Sequence, residues 1–412
     1  MKTKTLASLF MFMMFVTKLS LAQGSGAMSF MLLQQSPELA GAGNIGTAIA
    51  TNDPIGFYYN PAILGYTSRN NHIAFSTMPS KTKWGSIVDV KFWNTGGNIG
   101  YNFENSSVSI PLSIGLGIVR NTIEYDWNYI MNTVPPDKDS FTDLSLGIGY
   151  HNYLYFNLGF SARFFDSILQ NGYPGGRSSE AKGTAFDIGA LIIVPVSELW
   201  LQNTKYNFSD NSFITPLIDF SLGYSLTNLG EKVHYLDPAQ ADPLSRTARL
   251  GYSIGLGTDW NFQETKINLF KYSFTAEAED GLIEDSRTDY YSSEPKYQGM
   301  FGDIDVVDNL IGLNPSNQVI VHKGHILNLF ETFTLISGRY TGGGYSEIRK
   351  SNGYGISSEG VSKLISALTE SEAVDYIARH IAIDFYSTKL GTGSLVETKL
   401  QTVNLRFSNI EL

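Results

Sequence analysis

Cysteine is absent from this chain of 412 residues. That excludes disulfides and thiolate metal sites, and leaves strand pairing and burial to hold the fold. Positive charge is in deficit. Lys and Arg number 29 against 39 Asp and Glu, for a net charge of −10, which argues against nucleic acid as a partner and against docking on an anionic surface through a basic patch. Long apolar runs are missing beyond the first residues, so no membrane helix is available, since such a helix needs about 20 apolar residues. The sequence also lacks HExxH, Walker and EF-hand patterns. No enzyme activity and no cofactor are expected. There is no fixed-period repeat, low-complexity tract or interdomain linker.

What is present begins with an export signal. Lys2 and Lys4 precede the apolar run Leu6 to Val16, and Ser20-Leu21-Ala22 supplies a small-x-small cleavage site before Gln23. This is the order of a secretory signal peptide, assigned to residues 1–22. The run is too short to span a bilayer, and no cysteine follows the site to carry a lipid anchor.

The dominant pattern downstream is alternation with a period of two. In Arg249 to Trp260 one face reads Leu250, Tyr252, Ile254, Leu256, Thr258 and Trp260, and the other Arg249, Gly251, Ser253, Gly255, Gly257 and Asp259. No helix sorts residues this way, because its faces repeat every three to four positions. The same alternation recurs around Leu112–Ile118, Asp143–Tyr150, Leu154–Phe164, Ile218–Thr227 and Val403–Ser408. The non-apolar face is rich in Gly and Ser and carries isolated charges. Mean hydropathy is near zero, as expected when lipid-facing and lumen-facing residues are averaged, and aromatics such as Trp93, Tyr101, Tyr153 and Trp260 sit near strand ends, where a barrel places its interfacial girdles. The fold class is therefore all-β: a single transmembrane antiparallel barrel in the bacterial outer membrane. Strand-like runs begin near Asn71, Gly85, Asn98, Ser107 and eleven further points. Since single-chain bacterial barrels usually have an even number of strands, about fourteen are expected.

Three segments do not read as wall. Residues 23–65 lack sustained alternation and are expected to form a hatch or plug, with the barrel in 66–412. Residues 279–323 form a long acidic loop with an apolar stretch at Ile304 to Leu313, and loops of this length are usually functional. Val361 to Ile377 has helical spacing, broken near Glu370.

The plug holds the most specific motif, Ser36 to Gly65 (SPELAGAGNIGTAIATNDPIGFYYNPAILG). Gly41, Gly43 and Gly46 allow tight turns or close backbone contacts. Asp53 sits in a turn, and Asn60-Pro61-Ala62 lets an Asn side chain bond its own backbone. This stretch resembles the start of the PorV/PorQ family of outer-membrane proteins, similar in fold to FadL-type barrels. Ala40-Gly41-Ala42-Gly43, Asn52-Asp53 and Tyr58-Tyr59-Asn60-Pro61-Ala62 carry the likeness. Ala185–Ala190, Ser221–Gly230 and Arg249–Tyr252 add weaker strand signatures. Departures are Ala42 between the glycines, Ile63-Leu64 after Ala62, and a chain ending in Leu412 rather than an aromatic. The resemblance implies a component of type IX secretion that binds cargo bearing a C-terminal signal domain and passes it to surface attachment, with cargo, translocon or attachment-complex proteins and outer-membrane lipid as partners. The alternative it implies is a FadL-like channel for hydrophobic small molecules.

Eight charges share the small-residue faces of their strands: Asp143, Arg163, Asp187, Asp219, Arg249, Asp259, Asp384 and Arg406. They are expected to face the lumen, either as a mutually neutralising network or as a selective lining. The six histidines are scattered. His322 and His325 are read as part of a loop entering a strand, and His151 as a solvated surface group.

Overall fold

The computed structural model describes residues 26–410 apart from 85–88, 106–108, 127–136, 170–177, 210–211, 237–240, 263–264, 285–295, 344, 370 and 393–396. The leader at 1–22 lies outside the described residues.

The alternating segments form one closed antiparallel barrel of fourteen strands. They are β1 (His72–Thr77, continued by Thr82–Trp84), β2 (Asp89–Asn102), β3 (Leu112–Asp126), β4 (Asp137–His151), β5 (Tyr155–Leu169), β6 (Ser179–Val194) and β7 (Ser212–Gly230). Then come β8 (Thr247–Phe262), β9 (Thr265–Gly281), β10 (Val319–Leu329), β11 (Phe333–Gly342), β12 (Tyr345–Ser357), β13 (Ile381–Leu390) and β14 (Thr398–Ser408). Each pairs with its sequence neighbour, and β1 closes on β14 through His72↔Ser408 to Thr77↔Val403. A short strand at Tyr206–Ser209 folds back on β7. Closure leaves no free edge, which is what a sheet needs to cross lipid.

The two faces sort as the sequence pattern requires. Leu116, Leu146, Leu158, Phe160, Ile254 and Leu335 point outward, with Leu158 65% exposed. Glycine, serine, asparagine and paired charges point inward. This closed wall with an apolar exterior defines a barrel of the bacterial outer membrane. Ile254, 38% exposed on the outer face, tests the assignment: Ile254→Arg should cost about 2–4 kcal/mol near the bilayer midplane, and an unchanged urea midpoint in lipid vesicles would refute it.

One rim carries the start of β1, the end of β14 and the tight turns at 152–154 and 330–332. By the usual orientation of such barrels it is the periplasmic rim. A helix pair, α1 (Glu359–Leu368) and α2 (Glu372–His380), lies there between β12 and β13, broken where the sequence spacing breaks. The other rim bears the longer loops.

Three details differ from the sequence expectations. The start read at Asn98 falls inside β2, which already begins by Asp89, while the start read at Gly85 lies outside the described residues. The long loop is shorter than 279–323, because β9 runs to Gly281 and β10 begins at Val319. That loop also folds down over the outside of the wall. Ile304 and Leu310 pack against Leu226, Ala248, Leu250, Tyr252 and Ala278, Phe301 sits 5.1 Å from Tyr224 ring to ring, and the Tyr224 hydroxyl donates to the Met300 carbonyl at 2.5 Å. Leu250 and Tyr252 are thus on the outer face but face the loop rather than open lipid. The cause is local: the apolar stretch needs a partner, and the wall supplies an apolar surface.

Candidate functional site: the occupied lumen

The N-terminal segment fills the barrel from rim to rim. At the loop rim the Ala27 amide donates to the Pro243 carbonyl at 2.7 Å, and the Ser245 amide to the Ala27 carbonyl at 3.1 Å. The chain then forms a turn of 3-10 helix at Ser29–Leu32 and a short helix at Pro37–Gly41, and crosses to the β10–β13 side. It returns past β3 to β7 and leaves through a second short helix, Ile63–Thr67, into β1 at the periplasmic rim. The inward glycines of the wall follow this path. Gly324 and Gly338 face Ala42, Gly223 faces Thr47, Gly189 faces Asn60, and Gly159 faces Pro61 and Ala62. The small-residue face makes room for a second layer of protein.

The motif residues make the closest contacts. Gly43 has φ +84°, and a Cβ there would meet the Arg339 amide nitrogen at 2.7 Å and the Lys323 carbonyl at 2.8 Å, so both its conformation and its proximity to the wall require glycine. The Ser351 hydroxyl donates to the Gly41 carbonyl at 2.9 Å and accepts from the Gly43 amide at 3.1 Å. Asn60 accepts from the Ala62 amide at 3.1 Å, which turns the chain at Pro61, and donates to Thr47 at 2.7 Å and Ala190 at 3.1 Å. It therefore ties two stretches of plug to the wall. Asp53 accepts from Ser36 Oγ and from the Ile55 amide at 2.9 Å.

All eight charges singled out in the sequence lie on inward faces and have partners, but in five separate places. Arg163, 1% exposed, bonds Asp143 at 3.1 Å, Asp187 at 2.6 Å and Asn228 at 2.5 Å. Its guanidinium lies 4.4 Å from the centroid of the Tyr58 ring, so a plug aromatic covers a wall cation. Arg249 pairs with Glu279 and donates to the Asn44 carbonyl at 2.9 Å. Lower down, Asp219 pairs with Lys271 at 3.0 Å and Asp259 with Lys266 at 2.7 Å. At the periplasmic mouth Arg406 joins Asp384 at 2.7 Å to Glu359 at 2.9 Å.

Other holding residues were not singled out from the sequence. Glu277 accepts from three successive plug amides, those of Gly46, Thr47 and Ala48, at 2.9, 2.7 and 3.1 Å. The alternation Ala276-Glu277-Ala278-Glu279 is the signal that could have found it. His322 is buried within β10, not in a loop, between the Gly43 carbonyl at 2.8 Å and Glu279 at 3.0 Å. His151 is likewise buried, 2.7 Å from Ser113 Oγ and 3.2 Å from the Gly65 carbonyl. Both histidines look inward because the plug offers them carbonyls there.

Among the described residues, polar cavities of 230 Å³ and 310 Å³ lie near the periplasmic mouth. They share Asn52, Glu359 and Arg406 in their linings, and the first also meets Glu38 and Asp53 of the plug. Glu38 is pushed up from the usual 4.5 to about 8, by burial first and then by the Asp53 and Asp384 carboxylates; Arg406 and the Tyr386 hydroxyl act in the opposite sense. Asp53 is raised too, again mainly by burial. With its pKa raised, Glu38 binds a proton more tightly in the docked plug than in the released one. Its contribution to docking is fully present below about 4.5 and is lost as the pH rises through about 8. The plug should therefore loosen on alkalinisation, read as rising open probability in planar bilayers, and Glu38→Gln should flatten the dependence. An identical pH profile for the variant would refute this.

The fold and its filled lumen define a plugged β-barrel of the outer membrane. No family model and no curated relative matches the sequence. Among solved structures the chain is similar to the toluene transporter TodX of Pseudomonas putida, with a TM-score of 0.37 and 10% identity over 96% of this chain and 100% of that one. It is also similar to a Pseudomonas aeruginosa FadL homologue, with a TM-score of 0.40 and 9% identity over 91% and 98%. The toluene transporter TbuX of Ralstonia pickettii gives a TM-score of 0.38 and 10% identity over 91% and 97%.

Proposed function

We propose that the protein is a gated outer-membrane channel for small apolar molecules, a transporter rather than an enzyme, with its entry site occupied by its own plug. The observation that supports this reading is an apolar inner wall under the loop rim. Phe92, Val119, Ile123, Phe141 and Phe165 point into the lumen and are buried, where most inward positions are small or polar. They form one cluster with Phe30, Met31 and Tyr58 of the plug, and Phe30 stacks on Phe141 with centroids 6.4 Å apart. If residues 28–33 withdraw, they uncover a slot that only an apolar molecule fills favourably. The double variant Phe30→Ala, Met31→Ala should admit a hydrophobic fluorescent probe into proteoliposomes faster than the parent. Equal influx, with the plug still docked by protease protection, would sink the channel reading.

The second reading is the type IX cargo carrier. Met300, Phe301, Val306, Val307 and Ile311 of the long loop are exposed, and clustered apolar groups outside a barrel are suited to contact with a protein partner. Deleting residues 298–313 separates the two readings: a carrier loses capture of cargo bearing the secretion signal, while a channel keeps its probe influx.

A further inference from the structure

The outer face of β10 to β14 departs from the rest of the belt. Near the periplasmic rim its outward residues are apolar, including Phe333, Leu335, Tyr354, Ile356 and Ile383, each about half exposed. Continuing up the same outward positions, the wall presents Lys323, Arg339, Lys350, Lys389 and Lys399. The register aligns them. Lys323 stands opposite Arg339, and Arg339 opposite Lys350. Lys389 stands opposite Lys399 and is one pair-step diagonal to Lys350, through Asn352. Among the described residues of these five strands, no outward position carries an acid. The acid beside the row, Glu397, pairs with Lys389 at 2.8 Å.

We propose that this row binds the phosphate groups of lipid in the surrounding outer leaflet. Three arguments support it. Directly opposed side chains in a sheet have Cβ atoms about 4.5–5.5 Å apart, and like charges so placed repel. A row of this kind in a protein of net charge −10 is stabilised by bridging anions. The depth is right. The five positions lie six to nine residues above the strand ends at the periplasmic rim. At about 3.3 Å rise and a tilt of about 40°, that is roughly 15–23 Å, the upper part of an apolar band about 25 Å tall. Long basic side chains there reach headgroup level. The chemistry also fits, since forked guanidinium and compact ammonium groups together suit phosphate oxygens.

The test uses the full chain in nanodiscs of phosphatidylcholine doped with diphosphorylated lipid A, with retained lipid counted by native mass spectrometry. The parent should retain lipid A in preference to phosphatidylcholine. Lys323→Gln, Arg339→Gln and Lys350→Gln should weaken retention about fivefold per cation removed. Lys323→Arg should keep it, and so should Lys182→Gln, which removes a loop-rim cation outside the row. Heat-modifiable gel mobility confirms that each variant is folded. Equal retention by the parent and the triple variant would overturn the proposal, as would equal retention of dephosphorylated lipid A. Displacement of lipid A by millimolar inorganic phosphate would overturn it in favour of a free-anion site. Co-purification of a protein lost with the triple variant, while lipid A retention is unchanged, would assign the face to a protein partner instead.

Discussion

Arg163→Met should destabilise the barrel by about 3–5 kcal/mol, because it removes the cation from a buried network and leaves two carboxylates behind. Asp143 and Asp187 are both buried and share this one guanidinium. Without it they face each other in a site closed off by Tyr58 and Phe141. Methionine fills part of the volume but satisfies neither acid. The triple change Asp143→Asn, Arg163→Met, Asp187→Asn should recover much of the loss, since the unpaired charges rather than the missing attraction carry most of the cost. Urea unfolding in phosphatidylcholine vesicles reads the effect, and Lys182→Met, an exposed ion-pair member, serves as the control with no shift expected. An Arg163→Met midpoint equal to the parent's would show that the network adds nothing.

Gly159→Leu should open the barrel without unfolding it. A Cβ at Gly159 would fall on the Pro61 carbonyl carbon and the Ala62 amide nitrogen, and backbone atoms cannot swing aside as a side chain can. Overpacking of this kind costs about 1–3 kcal/mol or more, which raises the undocked population about five- to 150-fold. The strand pairing of β5 is untouched, because its outward neighbours Leu158 and Phe160 keep their places. The expected result is ion conductance in planar bilayers where the parent is silent, together with new protease cleavage within residues 40–65. Leu158→Ala, on the lipid side of the same strand, should stay closed. A silent Gly159→Leu protein with a protected plug would mean that the plug seats without this contact.

The wall was legible because a barrel in lipid imposes its pattern on every strand. The face of each strand in Leu144–Tyr150 or Ile218–Leu226 follows from alternation alone. Legibility failed where the inner face answers to the plug. In β2 the run Asn94-Thr95-Gly96-Gly97-Asn98 has little apolar alternation and reads as a break. Its inward side chains serve the plug instead, with Asn94 donating to the Gln35 carbonyl at 2.7 Å and Asn98 to the Pro54 carbonyl at 2.8 Å. The same cause hid His322. The eight inward charges could be placed on a face from the sequence, but not matched to one another. Alternation fixes a side and carries no information about register between distant strands: Arg163 meets Asn228 across 65 positions of chain. The outer packing of the long loop was hidden for the opposite reason. Leu250 and Tyr252 look the same whether lipid or protein covers them.

The seam that closes the barrel sets the order in which it is built. The β1–β14 ladder has six residue pairs, whereas β7 and β8 share sixteen, and it joins the two ends of the wall. Contacts this distant in sequence bear the largest loop-closure entropy and form late. The plug lies immediately before β1 and winds through the interior, touching β2 to β14. That short seam closes the ring around the interior the plug occupies. The glycine track along the inner wall is the surface on which the N-terminal segment seats once the ring is closed.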